Sequence, residues 1–171
     1  MRVEIKHRYT GAVLYALELP DGSDYAQRTA VEKAVAAPAN LGYADLGSAN
    51  LRSANLGSAD LGGSSLPSPT VGLLASWGSL SDELCADLML FDASCHPDPT
   101  AFDRWAKGGE CPYKGVGVQR AAVFSERRDL WGRGQIYRPY DLMARVLAEK
   151  CPKWTDAQRA DFAAKFSTVA K

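Results

Sequence analysis

Between residues 39 and 68 the chain repeats every five residues. The units are Ala39-Asn40-Leu41-Gly42-Tyr43, Ala44-Asp45-Leu46-Gly47-Ser48, Ala49-Asn50-Leu51-Arg52-Ser53, Ala54-Asn55-Leu56-Gly57-Ser58 and Ala59-Asp60-Leu61-Gly62-Gly63, closed by the degenerate Ser64-Ser65-Leu66-Pro67-Ser68. A period of five matches neither 3.6 nor 2, so neither a helix nor a flat strand can keep these leucines on one buried face. A coil that turns a corner at each unit can. One Leu and one Ala per unit then point inward and stack on the coil above, and the small residues between them allow the corners.

These units resemble the pentapeptide-repeat family, whose motif is A(D/N)LXX. The resemblance implies a right-handed quadrilateral β-helix with four units to a coil. It places Leu41, Leu46, Leu51, Leu56 and Leu61 inward, with Ala44, Ala49, Ala54 and Ala59 inward two positions before each central leucine. Six units make only about one and a half coils, each rising about 4.8 Å. Long acidic members of the family imitate DNA and bind gyrase. Here only Asp45 and Asp60 stand against Arg52, so that role is disfavoured.

A short coil has two open ends that need covering. Before it, alternation over Val3, Ile5 and His7 and over Val13, Tyr15, Leu17 and Leu19 predicts a hairpin turning at Thr10-Gly11, its second strand the better buried. Asp24 with Gln27 reads as a capping box for a helix bearing Ala30, Val31 and Ala34, which Pro38 stops. After the coil, Pro67-Ser68-Pro69 marks a boundary. Helices are expected from Ser81, from Thr100 with Asp103, from Gln119 to Leu130, from Pro139, and from Thr155 with Gln158. Phe162 and Phe166 line the last of these. The predicted organisation is α+β: a hairpin and helix cap (1–38), a repeat β-helix (39–68) and an α-helical part (69–171).

The segments 74–78, 92–97, 102–113, 119–124 and 130–131 resemble a helical module found behind pentapeptide repeats in bacteriophage and prophage proteins. That resemblance spans roughly 70–135. It implies a phage accessory protein, of a counter-defence kind, acting on a host component in the bacterial cytoplasm. It carries no catalytic residues. A homodimer is expected as well, because pentapeptide-repeat proteins are commonly dimers.

The charge balance of 20 Lys+Arg to 20 Asp+Glu excludes a generally cationic nucleic-acid binder. No sequence-specific nucleic-acid partner is expected. The start of the chain has no signal-peptide core and no apolar run approaches membrane-helix length, so no membrane partner is expected. In a reducing compartment the four cysteines are thiols or metal ligands. Cys85, Cys95, His96, Cys111 and Cys151 are zinc-ligand types, but they contain no Cys-x-x-Cys pair, and a structural zinc site is the lesser alternative. Asp92, His96, Asp98 and Asp103 lie close in sequence, with no nucleophile in a triad setting, so no catalytic residue, no cofactor and no enzyme activity are assigned.

The leading candidate is an anion site. Lys114, Arg120, Arg127, Arg128, Arg133 and Arg138 gather with Tyr113, Trp131, Tyr137 and Tyr140, and arginine forks grip phosphate while aromatic faces stack on bases. The ligand-binding residues predicted from this are Lys114, Arg120, Arg127, Arg128, Trp131, Arg133 and Tyr137. Two readings stay open. In one, these residues sequester a small nucleotide-like ligand. In the other, the chain is a scaffold that docks a host protein. The ordinary alternative for the arginines is pairing with Glu126 and Asp129 on a solvated face.

Overall fold

The computed structural model describes residues 1–114, 124–132, 134–151 and 154–167. The chain is α+β. A hairpin of β1 (Arg2–Lys6) and β2 (Val13–Glu18) leads into α1 (Ala26–Ala36), and the repeat follows. Then come α2 (Pro69–Gly72), α3 (Asp82–Ser94), α4 (Ala101–Ala106), a 3-10 turn at Arg128–Leu130, α5 (Pro139–Lys150) and α6 (Asp156–Ser167).

The repeat buries the residues its period selects. Leu41, Leu46, Leu51, Leu56 and Leu61 are all removed from solvent, and so are Ala44, Ala49, Ala54 and Ala59. In each unit the leucine carbonyl accepts a hydrogen bond from the backbone N–H three residues on, at 2.9–3.1 Å from Leu41–Ala44 through Leu61–Ser64. The Asn or Asp of each unit serves the same turn. Its Oδ1 accepts from the N–H two residues later, as Asn40 does from Gly42 at 2.8 Å and Asn50 from Arg52 at 3.1 Å. That local bond is why the second position is Asn or Asp.

Residues about four units apart then pair in parallel. Tyr43 N donates to Gly62 O, Leu46 N to Ser65 O, and Ser65 N to Ala44 O. The pairing runs past Pro67-Ser68-Pro69: Ser53 N donates to Leu74 O, Leu56 N to Ser76 O, and Ser76 N to Ala54 O. Leu73, Ala75 and Trp77 are buried with the leucines, although their segment lacks the motif. Gly57 and Gly78 meet where this last stretch crosses the coil; a Cβ on either would come within about 3.2 Å of the other's backbone.

Both ends of the coil are covered. At the first, Lys6 O accepts from Asp45 N and Arg8 N donates to Tyr43 O, each at 2.8 Å. There α1 supplies side chains where no strand lies: Arg28 donates to Arg52 O (3.3 Å), and Glu32 accepts from Asn55 N (3.2 Å). These groups would otherwise be unpaired edge donors and acceptors. At the other end the buried indole of Trp154 donates to Leu61 O, 93 positions away in the chain. Helix α5 buries Tyr140, Leu142, Met143, Val146 and Leu147 and packs on α2 and α3. Its Glu149 accepts from the N–H and hydroxyl of Ser81, the N-cap of α3, at 2.7 and 2.8 Å.

Several expectations need correction. Asp24 does not cap α1. Tyr25 is the N-cap, in the left-handed region (φ 56°), with no side-chain cap bond; Arg28 lies over its ring at 4.4 Å. Thr100 is the N-cap of α4 as expected, but its side chain makes no cap bond, because its hydroxyl is taken by Asp98 and Arg104. The helix expected from Gln119 does not reach Leu130; residues 125–130 form turns and the 3-10 segment, and 119–123 lie outside the described residues. Ile5 on β1 is the buried residue of the hairpin, because the end of β1 meets the coil. The Thr155–Gln158 box is present in both directions, at 2.8 and 3.2 Å. The side chains of Phe162 and Phe166 lie outside the described set.

Candidate functional site

The described residues of the predicted basic cluster are each engaged by a neighbour. Arg127 is held by Asp82 at the start of α3 (3.0 Å) and by Asp129 (3.3 Å). The bond from Arg127 keeps the Asp129 carboxyl below its usual range. Arg128 lies 5.7 Å over the Trp105 ring and reaches Gly109 O at 3.5 Å. Trp131 packs on Phe102, with ring centroids 5.0 Å apart, and its indole donates to Asp103. Tyr137 lies under Arg145, whose guanidinium is taken by Asp87 and Glu83 of α3. Arg138 pairs with Asp141. Arg120 and Arg133 lie outside the described residues.

Lys114 is bonded to Glu110 at 2.9 Å, and this pair, with Asp98–Arg104, lines an open cleft of about 440 Å³ beside His96 and Cys111. The bond from Arg104 holds the Asp98 carboxyl far below the usual carboxylate range. His96 is turned back on its own loop. Its Nδ1 sits within hydrogen-bond distance of both the N–H and the carbonyl of Asp98, and its ring meets the edge of Phe102. The charges of this cleft are therefore matched pairwise, and of the predicted anion site Arg127 ties its loop to α3 while Arg128 and Trp131 pack on α4.

Among the described residues no group of three His, Cys, Asp or Glu side chains could hold a metal ion. Burial raises the Cys85 thiol pKa and pushes that of Cys151 up to about 11, the latter helped by the nearby charge of Asp60. A thiol held protonated is a poor nucleophile and a poor ligand. In native protein, Ellman's reagent is expected to label exposed Cys95 quickly and to leave Cys85 and Cys151 unlabelled. All four thiols should react in denaturant. Rapid native labelling of Cys151 would contradict its burial.

A different cluster stands at the first corner of the coil. The turn closed by Leu41 O and Ala44 N places its third residue at positive φ, and that residue is Tyr43 (φ 58°). The corners ten and twenty residues on carry Ser53 (φ 60°) and Gly63 (φ 71°) at the same position. A bulky side chain there is strained by about 1–3 kcal/mol, and such strain persists where the surroundings hold it. Here the holders are visible. Gly63 lies so close that a Cβ on it would come within 2.5 Å of the Tyr43 ring. His7 stacks on Tyr43 at 5.5 Å, and His7 is pinned in turn by two N–H donors from its own turn.

Tyr9, 71% exposed, leans toward Tyr43 (46% exposed) at 6.2 Å. Arg8 lies 4.9 Å over the Tyr9 ring and donates to Gly63 O at 3.2 Å. Two cavities share Tyr43 and Gln158, one of about 180 Å³ reaching Arg8, Tyr9, Leu66 and Trp154, the other of about 310 Å³ reaching Asn40 and Thr155. None of these residues was among the predicted site. The available signal was the fifth position of the repeat, where the other units carry Ser or Gly and the first carries Tyr.

Residues 38–66 match the family model described as pentapeptide repeats (8 copies). No curated protein and no solved structure matches the chain. Among the described residues no helix is long and apolar enough to cross a membrane.

Proposed function

We propose that this chain is a non-catalytic binding protein that docks a host protein through the Tyr9–Tyr43–His7–Arg8 face. Its frame is a right-handed quadrilateral β-helix of about one and a half coils, with the hairpin and α1 as one unit and the helical part after residue 69 as another. The setting is the one the phage resemblance implies, an accessory protein acting on a host component in the bacterial cytoplasm. The observation that carries this reading is the exposure of two tyrosines beside an arginine, held by a strained corner. Tyrosine and arginine dominate the energetics of protein interfaces.

The nucleotide alternative draws less support. A phosphate-bearing ligand would have to displace Glu110 from Lys114, and Asp82 and Asp129 from Arg127. The expected homodimer also gains no support from stacking of coil ends. Both ends are covered within one chain, by β1 and α1 on one side and by Trp154 on the other.

A photo-crosslinking side chain in place of Tyr9, expressed in the bacterial host, is expected to give one defined protein adduct. The same group in place of Ile136, which is 58% exposed, should not give it. The adduct should disappear with Arg8→Ala. Its absence, or an identical pattern from both positions, would contradict the reading.

A further inference from the structure

We propose that the smaller cavity beside Tyr43 is an anchor pocket for one aromatic side chain, tyrosine or tryptophan, of the docked protein; this rests on the docking reading above. Size is the first argument. The cavity holds about 180 Å³. Sites for cofactors and drug-sized ligands run to about 300–1,000 Å³. This cavity falls below that range and is of a size that a single large side chain fills.

The lining is the second argument. Leu66 and Trp154 offer apolar surface, Tyr9 and Tyr43 offer rings, and Arg8, Gln158 and Asp161 bring polar groups to the same cavity. An aromatic body with a polar tip matches that division, because tyrosine hydroxyls and indole N–H groups need a hydrogen-bond partner once buried. Arg8 can serve such a ring in two ways. Its guanidinium donates to Gly63 O, and it has no carboxylate partner among the described residues, unlike Arg104, Arg127, Arg138, Arg145 and Arg159. Its other N–H groups can meet a hydroxyl, and its face can meet a ring.

Rigidity is the third. Tyr43 is fixed by its backbone turn, by Gly63 and by His7, and Arg8 is fixed by Gly63 and Tyr9. A pocket already in its bound shape avoids the ordering cost that binding otherwise carries.

The test is a titration of the full ¹⁵N-labelled chain with N-acetyl-L-tyrosinamide, followed by NMR. Saturating shifts are expected at Gly63, Ser64 and Ser65 and at the Trp154 indole N–H, with a dissociation constant in the millimolar range that an isolated side chain allows. Arg8→Ala, whose spectrum away from the pocket reports an intact fold, should weaken this at least about tenfold. N-acetyl-L-alaninamide should give no saturating shift. No response to the tyrosine amide would overturn the anchor pocket, even with the crosslink from position 9 in hand. Shifts from AMP at these residues, with none from the tyrosine amide, would overturn it in favour of a nucleotide site. If the amide binds and the position 9 crosslink fails, the pocket stands as a side-chain site and the docking reading falls.

Discussion

Replacing Leu51 with aspartate is expected to unfold the chain. Leu51 is fully buried, in the middle of the inward column formed by the leucines of successive units. The N–H groups of Arg52, Ser53 and Ala54 that follow it are engaged by Asn50, Leu74 and Leu51, so a carboxylate there would have to compete for them. Burying an unpaired charge costs several kcal/mol at least. A domain of this size has only about 5–15 kcal/mol in hand. The substitution also removes the leucine packing, about 2–5 kcal/mol in typical cores. Circular dichroism should show loss of the cooperative thermal transition. The neighbouring Arg52→Ala is the control. Its side chain is exposed and only its backbone is used, the carbonyl by Arg28 and the N–H by Asn50, so stability should move by no more than about 0.5 kcal/mol. A folded, soluble Leu51→Asp protein would refute the inward register.

The second large effect is expected at Gly63. Alanine there meets two separate obstacles. Its φ of 71° lies in the left-handed region, which costs an L-residue about 1–2 kcal/mol. Its Cβ would also come within 2.5 Å of the Tyr43 ring, and overpacking of this kind costs about 1–3 kcal/mol. Gly11 separates the two contributions. It has almost the same φ, 70°, and a Cβ added there would meet nothing within 4 Å, so Gly11→Ala should show the backbone part alone. Denaturant midpoints should therefore fall clearly further for Gly63→Ala than for Gly11→Ala. Adding Tyr43→Ala to Gly63→Ala should recover the steric part, a coupling that a double-mutant cycle isolates. Equal losses at the two glycines would mean that Tyr43 does not lie against Gly63.

The inward residues of the coil were legible because a strict period of five leaves only one way to bury Leu and Ala together. The alternation of corners was not. Tyr43, Ser53 and Gly63 take positive φ while Ser48 and Ser58 do not, and the motif reads the same at all five. The covering of the coil ends was expected in outline, yet its atoms were out of reach. Glu32 finds Asn55, and Trp154 finds Leu61, through contacts between distant parts of the chain that leave no local pattern. Local signals failed where a neighbour offered a better partner. Thr100 stands at the N-cap of α4 as its sequence reads, but Asp98 and Arg104 take the hydroxyl a capping box would use.

The candidate site shows the same limit more sharply. Composition registers that Arg127 and Lys114 are cationic near aromatic residues. It does not register that Asp82, 45 positions earlier, closes on Arg127. The exposed tyrosine corner needs no unusual composition at all. Its meaning comes from a hairpin turn, one coil corner and the next coil meeting in space.

A short repeat coil is closed at both ends by the rest of its own chain, and that closure fixes the Tyr43 corner as a rigid surface. Native-state hydrogen exchange reads the closure amide by amide. The amides of Tyr43, Leu46, Ser53, Leu56, Ser65 and Ser76 pair from coil to coil, while Asp45 and Asn55 are bonded to Lys6 O and Glu32 in the cap. All eight are predicted to exchange only through a common, global opening. Exchange of Asp45 and Asn55 at open-loop rates, with the coil-to-coil amides still protected, would show an uncovered end and contradict the closure.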